Sequence, residues 1–434
     1  MRNILQHRGL RLIFAANVIS MLGSGLNAAG VTWYVLQATH SEMALGTMLM
    51  LQTIPALLML PFTGVVIDRE DRRRLVMVLD AARGIVVLIV AVMAWNGVAR
   101  LWEVYLMSIL VAAGFWMFWP TINALIQELT PDSKLAHSNS FILAGFQGGW
   151  LIAGAIVGFV YNHIGLGGIL FIDFVTYGLS FTCYLFVRKG RHVVAVASPH
   201  VHHESEVARF VHELREGIAY IRLRPRLLLL GISWALFIGG MLTQGIITAP
   251  FSDRILQAGA VGYGWLNSGW AIGACTSAFF TPALLHGTGH RRAIGVTMAL
   301  LGISLIALPF LGAHLQRPVR IAAFTVTLGL IAAVAVYCVM GSCRGLGGVA
   351  ITTAMMEMVP KHFMGRVQNT FYFAGTCLQL GFSILVGTVA HKRSLAAGFA
   401  MVGGLYLLAC VTGSWPVRDS LAEEVRAPLS AQGD

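Results

Sequence analysis

The chain has 434 residues, of which 57% are hydrophobic and only 11% are charged. Soluble domains carry about 25% charged residues, so this composition excludes a soluble enzyme. The formal net charge of +11 would suit a nucleic-acid partner, but the Lys and Arg residues occupy short loops between long apolar runs. That distribution is typical of a membrane protein, and no nucleic-acid partner is expected.

Apolar runs of about 20 residues cross the hydrocarbon core as helices, and twelve such runs follow one another along the chain. The first run continues from Arg11 to Leu36, so it predicts a span and no cleavable signal peptide. The tenth run is too long for one straight span, and we expect a tilted helix, an extension beyond the lipid or an irregular start there. The predicted spans are 12–36, 43–67, 75–97, 104–126, 140–162, 169–187, 227–249, 262–285, 293–313, 324–356, 366–390 and 395–415.

Two sequence features that each occur twice along the chain predict a duplicated six-helix unit. The same Glu-x-x-Pro ending closes the fourth and the tenth span, at Glu128 and Glu357, and paired arginines follow the second and the eighth span, at Arg73 and Arg291. We therefore predict an all-α membrane protein with twelve transmembrane helices in two pseudo-symmetric halves. The predicted parts are a first bundle (1–187), a cytoplasmic linker with an amphipathic helix that binds the lipid surface (188–226), a second bundle (227–415) and a cytoplasmic tail (416–434).

The charges also predict an orientation. Of the 30 Lys and Arg residues, 22 fall on the side that holds both termini, six on the opposite side and two within spans. Cytoplasmic loops carry the excess of Lys and Arg, so both termini are expected in the cytoplasm. We predict a multi-pass protein of the cell inner membrane that is monomeric in the lipid bilayer.

A charged loop between the second and third spans contains Gly64, Asp68, Arg69, Arg72 and Arg73. On physical grounds it is either a positive-inside anchor or a cytoplasmic gate, in which a helix-end carboxylate pairs with an arginine or a helix N-terminus. The loop resembles the signature loop of the major facilitator superfamily at these five positions. The second glycine of that signature is replaced here by an aspartate.

Within that superfamily the chain resembles the drug/proton antiporter branch that contains macrolide-efflux proteins and the enterobactin exporter. The resemblance implies export by alternating access, a cavity lined by spans one, four, seven and ten, and a proton gradient as the energy source without any bound cofactor. One departure is Ala155, where antiporters commonly carry a proline in the fifth span. The motifs that carry the resemblance are Asp80-Ala-Ala-Arg83, Gln127-Glu-Leu-Thr-Pro131, Phe171-Ile-Asp173, Glu216-Gly-Ile-Ala-Tyr220 and Gly365-Arg-Val367.

Ionisable residues within the membrane are costly, and few are present here. Asp80 and Arg83 lie one turn apart near the cytoplasmic end of the third span, as a structural pair or as part of the gate. Asp173 is the candidate for proton coupling, and the alternative is a carboxyl satisfied by its neighbours. Arg344 is the candidate for binding an anionic or carboxylate-bearing substrate, unless it is neutralised by Asp173 or lies nearer the surface.

Polar and aromatic residues recur at helical spacing in several spans, which indicates either hydrogen bonds between helices or a hydrated cavity. Together with Arg344 they suit a bulky amphipathic small molecule. The predicted cavity residues are Asn17, Ser24, Asn27, Trp119, Asn123, Gln244, Arg344, Asn369 and Tyr372.

The sequence favours a secondary exporter over the alternatives. There is no phosphate-binding loop for nucleotide, no HExxH or GxSxG motif for a membrane-embedded enzyme, and no cysteine pair at zinc spacing. A metal site is not expected, although five histidines are clustered around the linker. A lysophospholipid flippase and another uniporter or importer remain alternatives. The linker histidines are His192, His200, His202, His203 and His212.

Overall fold

A computed structural model of the chain describes residues 8–129, 135–187, 206–321, 324–360 and 364–416. These ranges form twelve α-helices and one short antiparallel hairpin. The helices are α1 (Arg8–Thr39), α2 (Glu42–Arg69), α3 (Arg72–Trp95), α4 (Leu101–Leu129), α5 (Leu135–Leu185), α6 (Glu206–Arg222), α7 (Pro225–Pro250), α8 (Gly259–Thr288), α9 (His290–His314), α10 (Leu328–Met358), α11 (Met364–Lys392) and α12 (Leu395–Ser414). The strands are β1 (Pro318–Ile321) and β2 (Phe324–Thr327).

The membrane is crossed twelve times. Ten segments of the described chain are long and apolar enough to span a bilayer. One of them, in α5, crosses twice because Gly165 reverses the chain at φ 64°, a conformation that glycine adopts without steric cost. With the 30-residue helix α8 this makes twelve spans, as the sequence predicts.

The helix ends follow local sequence. Ser41, Asp71 and Ser394 precede α2, α3 and α12, and each side chain accepts a hydrogen bond from a backbone N–H of the first turn. Pro250 ends α7, and a π-helical turn (Phe251–Ile255) follows it. Proline has no N–H to donate to the preceding turn, so it favours such a break in regular winding.

The structure defines the start of the tenth span and the bounds of the linker helix. The tenth span was given as 324–356 with an irregular start as one expected form, and the start is irregular: residues 324–327 form β2, and the helix begins at Leu328. The extra apolar length therefore pairs as a hairpin outside the helix. The predicted linker contains a helix, α6, which covers Glu206–Arg222.

The helices α1 and α12 begin and end the described chain on one side of the bundle, which we call the termini face, and α2, α4, α8 and α12 begin on the opposite far face. The first half contains α1 to α5 and the second half contains α7 to α12. Within the halves, α1 packs on α5, α8 on α10 and α9 on α12, whereas α2 meets α11 and α5 meets α8 across the halves.

The halves approach most closely toward the far face. Gly158 of α5 lies so near Val261 of α8 that a β-carbon there would stand 2.3 Å from the Val261 α-carbon. Gly46 of α2 lies equally close to the carbonyl oxygen of Ser383 in α11. Small residues let helix backbones pack this tightly in a membrane, so the far side of the molecule is closed.

Candidate functional site

A cavity of about 300 Å³ lies among the helices of the first half and reaches the second half at two residues. Side chains from α1 to α5 form most of its wall, and Leu242 of α7 and Gln379 of α11 complete it. Aromatic rings and amides are interleaved with apolar side chains, a composition typical of sites for small organic molecules. The rings include those of Phe115, Trp116 and Trp150, and Asn27 and Gln52 supply amides in addition to Gln379.

Arg83 is the one charged side chain among the described residues that line this wall. It is 2% exposed. Its Nη2 donates to Asp80 Oδ1 at 2.5 Å, and the Ser180 hydroxyl donates to the other Asp80 oxygen at 2.7 Å. The guanidinium lies between the rings of Phe118 and Tyr177, at 4.5 and 4.7 Å from their centroids. The pair is therefore held by three helices.

The depth of this pair differs from the prediction. Arg83 lies eleven residues after Arg72, where α3 begins, which at 1.5 Å per residue is about 16 Å along the axis. The pair was expected near the cytoplasmic end of the span, but it lies beside the cavity, near the middle of α3. Its position supports contact with a bound molecule more directly than a role at the membrane surface.

Asp173 lies in the second arm of α5 and is fully buried. Asn27 Nδ2 donates to one carboxyl oxygen at 2.6 Å, and the Thr176 hydroxyl approaches the other at 3.4 Å. One turn further, the Tyr177 and Ser24 hydroxyls are 3.2 Å apart. Because Ser24 and Asn27 line the cavity, one layer of side chains separates Asp173 from it. Polar residues of α1 therefore do both things that their helical spacing was expected to indicate: they form hydrogen bonds to another helix, and they line the cavity.

A second charged cluster joins the halves at the far face, and we call it the far-face latch: Glu42, Arg254 and His391. The Glu42 carboxylate is fully buried at the start of α2. Arg254 Nη1 lies 2.6 Å from one of its oxygens, and His391 Nδ1 lies 3.1 Å from the other. Arg254 Nη2 also donates to the His40 carbonyl oxygen at 2.9 Å. The carboxylate comes from the first half and both basic groups come from the second.

The arginines of the signature loop bind helix ends. Arg73 donates to the carbonyl oxygens of Tyr184 and Leu185 at the end of α5, both at 2.7 Å. Arg72 donates to the Ala124 carbonyl oxygen at 3.3 Å. These contacts stay within the first half, so they join helices of one bundle.

Asp71 takes the place of the signature's second glycine and caps α3, accepting from the Arg74 N–H at 3.1 Å. The substitution therefore supplies a helix cap in place of a flexible turn. Gly64 lies within α2. The side chains of Asp68 and Arg69 lie outside the described part of the chain, so the predicted gate stays a prediction.

Arg344 does not line the cavity. Its guanidinium lies 4.3 Å above the ring of Trp270, between α10 and α8. The charged residue of this wall is Arg83, and the expectation that Arg344 contacts the substrate stays a prediction. A hydropathy pattern gives the depth of a residue in its helix but not the rotation of that helix about its axis.

Of the other predicted cavity residues, Ser24 and Asn27 line the wall and the rest do not. Tyr372 packs edge-on against Trp116, with centroids 5.9 Å apart, just behind the wall. The remaining residues lie elsewhere on the same helices because the cavity covers only part of each helix face. They are Asn17 (buried), Trp119 and Gln244 (partly buried), and Asn123 and Asn369 (exposed).

Sequence reasoning missed the contribution of α2. Gln52 and Thr53 are adjacent polar residues inside an apolar span, and that anomaly is the signal that could have found them. Gln379 of α11 donates to the Thr53 hydroxyl at 2.8 Å across the halves. Trp150 gave no such signal, since a tryptophan in an apolar span is equally compatible with lipid contact.

The described ranges contain no group of three or more His, Cys, Asp or Glu residues that could hold a metal ion. His212 instead pairs with Glu216 on α6 at 3.4 Å. The other linker histidines, at 192, 200, 202 and 203, lie outside the described residues, so the expectation of no metal site there stays a prediction.

The sequence and the fold were compared with known proteins. A sequence profile described as Major Facilitator Superfamily matches residues 13–386. The uncharacterized MFS-type transporter YkuC of Bacillus subtilis is 25% identical over 397 residues, which cover 88% of this chain and 86% of YkuC. The multidrug efflux pump Tap of Mycolicibacterium fortuitum is 25% identical over 405 residues, covering 90% and 91% of the two chains.

Two further similarities bear on the branch and on the fold. The macrolide efflux protein A of Streptococcus pyogenes is 24% identical over 213 residues, which cover 48% of this chain and 50% of that protein. The crystal structure of the nucleoside transporter NupG superposes with a TM-score of 0.71 at 14% identity, covering 93% of this chain and 98% of NupG. The fold and the relatives are therefore those of membrane transporters.

Proposed function

The chain belongs to the major facilitator superfamily, and from that premise we propose that it exports a bulky amphipathic small molecule by alternating access. The observation that carries this proposal is the wall of the 300 Å³ cavity, where rings and amides surround one charge-paired arginine. Such a wall buries an apolar body and orients it through a few polar contacts. The relatives named as efflux proteins support export over uptake.

Alternating access requires a site that each side of the membrane reaches in turn as the halves rock. The cavity meets both halves, through Leu242 and Gln379 of the second, and the far-face latch closes one side. The excess of Lys and Arg at the termini face supports a cytoplasmic position for that face. In this orientation the latch closes the outer side while the cavity loads from within.

Proton coupling requires a carboxyl whose charge changes between the two states, and we assign this role to Asp173. Its carboxyl is fully buried and reaches the cavity through Asn27, so a bound molecule and a proton can influence one another over one side chain. Asp80 is less suited, because the Arg83 guanidinium pairs with its carboxylate and stabilises the charged form.

Inverted membrane vesicles test this proposal with a radiolabelled macrolide as the transported probe. Wild-type vesicles should accumulate the macrolide, and an inward-acid proton gradient should increase the accumulation. Asp173→Asn keeps the shape and one hydrogen bond of the side chain but cannot exchange a proton, so it should lose the response to the gradient. Asp253→Asn, at an exposed carboxyl of the far face, is the matched control and should respond like wild type. Equal responses in wild type and Asp173→Asn would remove Asp173 from the mechanism.

The lysophospholipid flippase is a weaker candidate. It was expected to bind a headgroup through Arg344, and Arg344 stacks on Trp270 away from the cavity wall. No other observation favours this alternative, so we retain the soluble amphipathic solute as the proposed cargo.

A further inference from the structure

The hydrogen-bonding capacity of the Arg83 guanidinium is only partly used within the protein. Nη2 is bound to Asp80, and Nε donates to the Leu79 carbonyl oxygen at 3.3 Å. Nη1 is buried and has no hydrogen-bond acceptor among the described residues. A buried donor without an acceptor is costly, so native structures supply one from the protein, from solvent or from a ligand.

Arg83 is one of the residues that line the cavity. The side chain starts on α3, passes α4 and reaches the wall between Phe118 and Tyr177. It passes α4 at Gly114, where an added β-carbon would stand 2.7 Å from both Cγ and Cδ of Arg83. Only a residue without a side chain leaves room for this path, so Gly114 positions the guanidinium at the cavity.

We propose that Arg83 Nη1 is a binding group for the transported molecule and donates to an uncharged acceptor such as a ketone or ester carbonyl oxygen. The inference rests on the proposed function, because it takes the cavity to be the cargo site. It names the chemical class of the cargo as a neutral carbonyl group on a bulky apolar body.

The charge around Arg83 selects a neutral acceptor over an anion. Asp80 already neutralises the guanidinium at 2.5 Å, and Ser180 fixes the carboxylate in that position. Asp173 lies one turn before Tyr177 on the same helix and adds a second carboxyl to the cluster. A carboxylate cargo would meet two carboxyl groups and one cation, whereas a carbonyl accepts a charge-assisted hydrogen bond without repulsion.

The rest of the wall accommodates the apolar body. Phe115 and Trp116 of α4 and Trp150 of α5 line the cavity beside the polar residues. Aromatic rings pack against flat or macrocyclic carbon skeletons with little entropy cost, because each side chain has only two rotatable bonds. The carbonyl contact then sets the orientation of a molecule that the rings hold.

Three pyrene probes with one carbon skeleton test the inference: pyrenebutanoic acid methyl ester, free pyrenebutanoic acid and butylpyrene. Binding to the full-length protein in lipid nanodiscs is measured by energy transfer from tryptophan to pyrene, with protein-free nanodiscs subtracted for partitioning. We expect wild type to bind the ester about tenfold more tightly than butylpyrene, the gain typical of a hydrogen bond to a charged donor, and to bind the acid more weakly than the ester.

Two variants and one control identify the donor. Arg83→Lys keeps the charge beside Asp80 but not the planar fork, and it should reduce the ester preference to about twofold or less. Gly114→Ala retains the arginine but displaces its aliphatic carbons, and it should reduce the ester preference in the same way. Gly148→Ala, at a glycine with no atoms within 4 Å of an added β-carbon, should keep the wild-type preference.

Several outcomes would overturn the inference: equal binding of ester and butylpyrene by wild type, tightest binding of the acid, or an ester preference that persists in both Arg83→Lys and Gly114→Ala. Failure of all three probes to bind wild type would also overturn it. The macrolide assay in vesicles uses neither pyrene nor Arg83 variants, so it judges the transport proposal separately.

Discussion

In the first half α3 buries Asp80 and Arg83, whereas α9 of the second half buries Met298 and Leu301 at the corresponding places. The correspondence follows from Arg73 and Arg291, which begin the two helices and bind the carbonyl ends of α5 and α12 respectively. The same scaffold therefore folds around an ion pair in one half and around apolar side chains in the other.

The last span of each half shows the same contrast. In the register of the two Glu-x-x-Pro endings, Asp173 corresponds to Val402 and Tyr177 to Tyr406. Both tyrosines are buried, but Tyr406 packs against the ring of Phe237 at 6.2 Å and Tyr177 contacts the Arg83 guanidinium. The second half forms without buried carboxylates in these spans, so the fold does not require them. Burying Asp80 and Asp173 costs free energy in the first half, which indicates that they are kept for function.

The strongest test of this comparison replaces the buried ion pair of the first half with the apolar residues that occupy the corresponding places in the second half. Arg83→Leu alone leaves the Asp80 carboxylate buried without its cation and should lower the free energy of unfolding by about 3–5 kcal/mol. The double substitution Asp80→Met and Arg83→Leu should recover most of this loss but not transport. Unfolding by titration with SDS measures both. A double variant as unstable as the single one would show that the first half depends on its ion pair.

The far-face latch divides its charges between the halves, and Glu42→Gln tests that division. The change removes the charge that holds Arg254 and His391, which should weaken closure by about 1–3 kcal/mol, toward the lower end because Arg254 is 44% exposed. Spin labels replacing Val98 and Gln257, in a background without the six native cysteines, report the distance between the halves at the far face. An unchanged distance distribution would assign closure to helix packing alone.

The smallest expected effect concerns a contact that both halves contain, an arginine bound to the carbonyl oxygens at a helix end. Arg73 donates two hydrogen bonds to the end of α5, and Arg291 donates one to the Ser414 carbonyl oxygen at 2.6 Å. Arg73→Ala should therefore cost about 1–2 kcal/mol and Arg291→Ala about half as much, by the same SDS titration. A larger loss for Arg291→Ala would contradict the correspondence of the two arginines.

Much of the fold was readable from the sequence. Lipid forces long apolar helices, so the twelve spans, the linker helix α6 and the duplicated arginines followed from hydropathy and spacing. The form of the start of α10 was left open because an apolar strand and an apolar helix look alike in a hydropathy profile, and β2 continues the run of the helix without a polar break.

The cavity was less predictable. Ser24 and Asn27 were found because polar residues at helical spacing mark one helix face. Arg83 was expected as a structural partner of Asp80 or as part of the gate, and not in the cavity wall, since the sequence does not give the rotation of each helix about its axis. Gln52 and Thr53 mark α2 as unusual, but two adjacent polar residues do not show which neighbouring helices they face.

The π-helical turn after Pro250 has a consequence for how the outer closure is released. Such a turn contains one residue more than a regular turn, and Arg254 lies inside it. Rewinding the segment to ordinary α-helix would rotate Arg254 by about 100° about the axis and carry it away from Glu42. The closure can thus be undone by a change of helical winding over five residues, while the rest of α7 keeps its place in the bundle.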